Sequence, residues 1–139
     1  MIKVVATGTF DILHPGHVLY LKEARKLGDS LYVIVARDST IKHKRKPLLP
    51  EDQRLFMVCA LKCVDQAMLG SEDDMFKPIL EIDPDIIALG FDQHWNEKEL
   101  EDKLKERGLK AKVVRIEKCD LSPYASSRHI RQRIKELEI

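Results

Sequence analysis

Short apolar runs and segments of helical period alternate along this 139-residue chain, and that alternation constrains the fold more than any other feature. The runs 2–7, 31–36, 64–69, 85–90 and 112–116 read as strands rich in Val, Ile and Leu. Between them, residues 16–27 place Val18, Leu21, Ala24 and Leu27 on one stripe, with Lys22, Glu23, Arg25 and Lys26 on the solvated side. Pro50 opens a second helix, on which Cys59 and Cys63 are expected one above the other. Further helices are expected over 71–81 (interrupted by Pro78), 96–107 and 126–137. Gly28 and Gly108 stand where helices usually stop.

Strands that alternate with helices over short connections must pair in parallel, because each helix carries the chain back to the starting edge. The expected fold class is therefore α/β: a Rossmann-like, doubly wound sheet of five mostly parallel strands with helices on both faces. Residues 1–139 are expected to form a single domain, since nothing reads as a linker or repeat. In such a sheet ligands bind beyond the carboxyl ends of the strands, where the strand order reverses.

The charge balance narrows the partners. A net charge of +1 argues against a domain that grips long nucleic acid, which needs a basic excess. No apolar run approaches the ~20 residues that cross a membrane. Three cysteines, Cys59, Cys63 and Cys119, make an odd set without zinc-like spacing. They point to free thiols and a cytoplasmic location.

The chemistry gathers in the loops that follow strands. After the first, Thr9, Asp11, His14, Pro15, Gly16 and His17 crowd into the turn before a helix. The positive end of a helix and its free N–H groups attract phosphate there. Imidazoles three residues apart can donate hydrogen bonds to phosphate oxygens as charge builds. A His/Asp metal site, incidental surface histidines and a dinucleotide loop compete with this reading, but the G-x-G-x-x-G spacing is absent. After the second strand come Lys42, Lys44, Arg45 and Lys46, with Arg54 on the next helix. A charge run is ordinarily a solvated face; here it could also be a basic flap over a triphosphate. After the fourth strand stand Asp92 and Trp95, the Trp preferred as a core residue over an aromatic wall for a flat acceptor. Before the last helix stand Ser126, Ser127 and Arg128.

The string Gly8-Thr-Phe-Asp-x-x-His14-x-Gly-His17 resembles the signature of the small nucleotidyltransferases. That family includes glycerol-3-phosphate and other cytidylyltransferases, pantetheine-phosphate adenylyltransferase and nicotinamide-mononucleotide adenylyltransferase. Ala6 through His17, Ile34-Val-Ala-Arg-Asp-Ser39 and Leu89-Gly-Phe-Asp-Gln93 are most similar to the archaeal FAD synthases, which are short FMN adenylyltransferases. The resemblance implies that His14, His17, Lys44 and Lys46 serve catalysis. It implies nucleotide contacts from Thr9, Phe10, His14, Pro15, Gly16, His17, Asp92, Ser126, Ser127 and Arg128. It also favours a phosphate role for Arg54. The last loop departs from the family's Ile-Ser-Ser-Thr: Ala125 stands for Ile and Arg128 for Thr.

The implied reaction is ATP + FMN → FAD + diphosphate, with a divalent ion, Mg2+, travelling with the nucleotide and no dedicated protein metal ligands. Asp11 either touches that ion or holds its loop by hydrogen bonding. A homodimer is implied by the same resemblance. The alternative within the family is a cytidylyltransferase using CTP and a small phosphorylated alcohol such as glycerol 3-phosphate. A non-catalytic nucleotide sensor is the reading from another class.

Overall fold

The computed structural model describes residues 1–41, 46–117 and 127–138. Its elements, in chain order, are β1 Lys3–Gly8, α1 Pro15–Lys26, β2 Ser30–Val35, α2 Glu51–Cys59, β3 Gln66–Leu69, α3 Lys77–Ile82, β4 Ile86–Leu89, α4 Glu97–Glu106, β5 Lys112–Arg115 and α5 Ser127–Leu137. A 3-10 turn at Asp38–Thr40 lies between β2 and α2. The strands join in the order β3-β2-β1-β4-β5, and each pairing is parallel. From β1 the chain winds outward through β2 and β3, then returns to place β4 on the other side of β1. The switch point therefore lies between the carboxyl ends of β1 and β4.

The period-two alternation of the strands feeds two core layers. Val4, Ala6, Leu31, Val33 and Val35 face one way, onto Leu21 and Ala24 of α1 and Val58 of α2. Val5, Ile34, Ile87 and Leu89 face the other way, onto Ile79 and Ile82 of α3 and Leu100 and Leu104 of α4. Both faces of the sheet are thus covered, as near-continuous apolar strands require. Each fully buried Leu, such as Leu21 or Leu104, stabilises the layer by about 1.5–3 kcal/mol.

Several boundaries differ from the sequence expectation for identifiable reasons. The helix expected over 71–81 begins only at Lys77, which puts Pro78 in the first turn, where its missing N–H costs nothing. Ser71 and Asp74 cap the preceding turn instead, accepting from the amides of Asp74 and Phe76. The second helix stops at Cys59, so Cys63 lies beyond it and the thiols do not stack on one helix face. Gly108 ends α4 as expected, with φ +82 and the amides of Gly108 and Leu109 returning to the carbonyls of Lys105 and Leu104. Gly28 follows α1 for a different reason: a Cβ there would sit 2.7 Å from the Ile2 carbonyl oxygen. It is glycine because the chain passes against β1, not because the backbone turns left-handed.

Candidate active site

At the end of β1 the chain makes a tight excursion that sets two imidazoles. Phe10 adopts φ +54, a left-handed conformation rare for an aromatic residue, and folds its ring back beneath Gly8. A Cβ on Gly8 would lie 2.8 Å from that ring, so only glycine admits it. The ring is 2% exposed and gives His17 a shelf: the two rings meet edge-on, with centroids 5.3 Å apart. His14 then stacks on His17 at 3.7 Å between centroids and 23° between planes. Phe10, named among the expected nucleotide contacts, has its side chain in the core, where it packs against His17.

His14 is also the N-cap of α1. Its Nδ1 accepts from the Gly16 amide at 3.1 Å, and its carbonyl accepts from the His17 amide at 3.0 Å. Pro15 needs no partner for a donor it lacks. The first amides of α1, expected to be free for phosphate, are therefore engaged by His14 itself. With Nδ1 accepting, neutral His14 carries its proton on Nε2 and is a donor there.

Burial, and next the neighbouring His14, push the His17 pKa down to about 3, against the pull of Asp11. His14 is lowered by burial too, with Asp92 opposing. Both rings are neutral at physiological pH. Among the described residues nothing hydrogen-bonds the buried Nδ1 of His17.

Asp11 is 7% exposed and fully engaged. It accepts from the amides of Leu48 and Leu49, each at 2.9 Å, and from Arg131 of α5 at 2.8 Å. Of the two roles open to it, holding the loop is the one its partners perform. The carboxylate joins the β1 loop, the end of the basic segment and the last helix. Among the described residues no His/Cys/Asp/Glu cluster could hold an ion.

Arg54 corrects the sequence expectation. Its side chain is fully buried, and its guanidinium donates to the carbonyls of Leu49 at 3.0 Å, Thr9 at 2.7 Å and Ala36 at 2.8 Å, and to Asp38 at 2.6 Å. The hydrogen bond from Arg54 holds the Asp38 carboxyl below its usual range. Arg54 braces the loops after β1 and β2 from beneath, in a fully buried position. Its place on the buried stripe, four residues before Val58, was the available signal.

On the other side of the switch point, Tyr20 of α1 spans the two strand ends. Its hydroxyl donates to the Ala88 carbonyl at 2.5 Å and accepts from the Thr7 amide at 3.3 Å. Burial drives its pKa up. Gln93 ties the β4 loop to β1, donating to the Thr7 carbonyl at 3.0 Å and accepting from the Gly90 amide at 2.8 Å. Asp92, exposed at the tip of that loop, is close enough to raise His14 electrostatically. Trp95 packs against the α3–α4 core layer with the Lys103 ammonium 5.2 Å above its ring, as the core reading expected.

The structure therefore brings His14, Gly16, His17, Thr9 and Asp92 to one edge of the sheet. Pro15, Lys46 and Arg128 are exposed, and Ser127 opens α5. Lys44 and Ser126 lie outside the described residues, as do Lys42, Arg45 and Cys119. Sequence reasoning missed Tyr20, Gln93 and Arg131, whose roles depend on partners far along the chain.

A cytidylyltransferase-like family model matches residues 5–133, which takes in every one of these groups. The chain belongs to the cytidylyltransferase-like family. Within it, the chain is 82% identical over 136 residues to an FAD synthase of Methanocella paludicola, covering 98% of both proteins. It is 74% identical to an FAD synthase of Methanocella arvoryzae, covering 96% of each. Among solved structures, a lipopolysaccharide core biosynthesis protein of Thermoplasma volcanium superposes with a TM-score of 0.84 at 53% identity, over 86% of this chain and 99% of that one.

Proposed function

We propose that this chain is an FAD synthase, transferring the adenylyl group of ATP to FMN with release of diphosphate. The observation that carries the chemistry is the pair of neutral, stacked imidazoles at the start of α1. The choice of ATP and FMN rests on the high identity to proteins named FAD synthase.

An FMN phosphate oxygen attacks the α-phosphorus of ATP in line. A P–O bond forms there as the bond to the β-bridging oxygen breaks, and the electron pair leaves with diphosphate. No covalent enzyme intermediate is needed, so the protein positions the reactants and stabilises charge. His14 donates from Nε2 to a non-bridging oxygen, and His17, fixed by the Phe10 shelf, contacts the same phosphates. Neutral imidazoles suit this role because they donate without needing a proton to be taken up first. Lys44 and Lys46 neutralise the leaving diphosphate as point charges. Thr9, Pro15 and Gly16 border the phosphates, Asp92 meets the base or ribose, and Ser126, Ser127 and Arg128 bind the phosphates.

A divalent ion, Mg2+, would be carried by the nucleotide and would supply charge neutralisation, with few ligands from the protein. Asp11 already accepts three hydrogen bonds, which supports a structural role for it in the loop.

We assign a homodimer to the protein. Phe56 is 73% exposed and Met57 44% on α2, and Ile134 is 47% and Leu137 60% exposed on α5, so apolar surface awaits cover. We place it in the cytoplasm, as a single domain over 1–139: Cys59 and Cys63 are free thiols, and no described helix is long and apolar enough to cross a membrane.

The test is product analysis with purified protein, Mg2+, FMN and either ATP or CTP. FAD and stoichiometric diphosphate from ATP are expected. Turnover only with CTP and glycerol 3-phosphate would transfer the assignment to the cytidylyltransferases, and nucleotide binding without turnover of either acceptor would make the protein a sensor.

A further inference from the structure

Arg115 is the last residue of β5, paired in register with Leu89 at the end of β4. Its guanidinium turns across the loop that follows β4. Nη1 donates to the carbonyls of Gly90 at 2.8 Å and Gln93 at 3.0 Å. Nη2 donates to the Trp95 carbonyl and to Glu97 Oε1, the latter at 2.6 Å, and Nε donates to the same oxygen at 2.9 Å. All five donors of the guanidinium are thereby engaged, so Arg115 has none left for a phosphate or a base.

The loop needs this support. Within 90–95 the backbone makes the bond from the Gln93 amide to the Gly90 carbonyl at 3.2 Å and forms no helix or strand. Arg115 gathers the carbonyls of Gly90, Gln93 and Trp95, and at 3.5 Å that of Phe91, on one side, and Gln93 fastens the other side to Thr7 at the end of β1. Asp92 stands at the exposed tip between the two fixings.

We propose that Arg115 is a positioning residue for the nucleotide: it holds the 90–95 loop in the shape that presents Asp92 to the bound base or ribose. This rests on the assignment of Asp92 to the nucleotide. Without the clamp the loop must be ordered at each binding event, and that ordering is charged against ATP affinity. Asp92 is assigned to the nucleotide alone, so the clamp is expected to act on ATP and not on FMN.

The experiment measures KM for ATP and for FMN, kcat and Tm in wild type, Arg115→Ala, Asp92→Ala and the double variant. The KM values are taken at a temperature where every variant is folded. Arg115→Ala is expected to raise KM for ATP tenfold or more while KM for FMN stays within twofold. The double variant is expected to match Asp92→Ala alone, because Arg115 acts through Asp92. A merely structural role would lower Tm and leave both KM values in place, and that result overturns the proposal. So do effects of Arg115→Ala and Asp92→Ala that multiply. If Asp92→Ala raises KM for ATP and Arg115→Ala does not, the clamp alone is wrong. If Asp92→Ala itself leaves KM for ATP unchanged, the assignment of the site fails and the clamp with it. Arg115→Lys, which keeps the charge but loses the fork, and Glu97→Gln carry the same comparison if Arg115→Ala does not fold; both are expected to shift KM for ATP in the same direction.

Discussion

Lowering the pH should expose the neutrality of His17 as a stability effect. In the folded protein its pKa lies at about 3. In the unfolded chain an imidazole titrates near its ordinary value of 6.5. Below that value the unfolded chain binds a proton that the native state refuses, so stability falls as pH falls from 6.5 toward 3 and is retained above 6.5. Between pH 7 and pH 5 this one group removes about 2 kcal/mol. His14, lowered by burial, adds in the same direction. For a chain of this size ~2 kcal/mol corresponds to about 6 °C in Tm. Other groups titrate over the same range, so the diagnostic quantity is a difference. Calorimetric Tm should fall between pH 7 and pH 5 by about 6 °C more in wild type than in His17→Asn, which keeps a polar group on the Phe10 shelf and cannot titrate. Imidazole resonances followed by NMR should leave His17 unprotonated down to pH 5. Equal Tm slopes in the two proteins, or a native His17 midpoint near 6.5, would refute the reasoning.

Arg54→Met should cost about 3–5 kcal/mol, because it leaves Asp38 and three loop carbonyls without their buried donor; thermal denaturation measures it, and a loss under 1 kcal/mol would show that the brace is dispensable. Gly8→Ala drives a methyl to 2.8 Å from the Phe10 ring. The expected outcome is a loss of ~1–3 kcal/mol together with a fall in kcat, since His17 moves with its shelf; an unchanged kcat would separate the two residues.

The architecture was legible because burial on both sheet faces writes itself as apolar runs, and both core layers follow from them: Val5 faces one layer, Val4 and Ala6 the other. The histidine loop was legible because its residue types are unusual in a turn. What stayed hidden is long-range hydrogen bonding to backbone. Arg54 reads as one more surface cation until Thr9, Ala36 and Leu49 present their carbonyls to it. Arg115 reads as the end of a strand, and its loop partners are invisible in side-chain identity. Asp11 had two plausible roles, and only the arrival of Arg131 from 120 residues away, with the amides of Leu48 and Leu49, decides between them. The start of α3 at Lys77 was missed because a proline permits a helix to begin beside it as readily as it breaks one.

The most direct test of the central claim follows the α-phosphorus. With ATP radiolabelled at that atom, FMN and Mg2+, the label should appear in FAD and none in diphosphate, and His17→Ala should retain the wild-type fold by circular dichroism while losing most of the transfer. Label remaining in ATP with the wild-type protein, or transfer by His17→Ala at the wild-type rate, would contradict the assignment of nucleotidyl transfer to the stacked histidines.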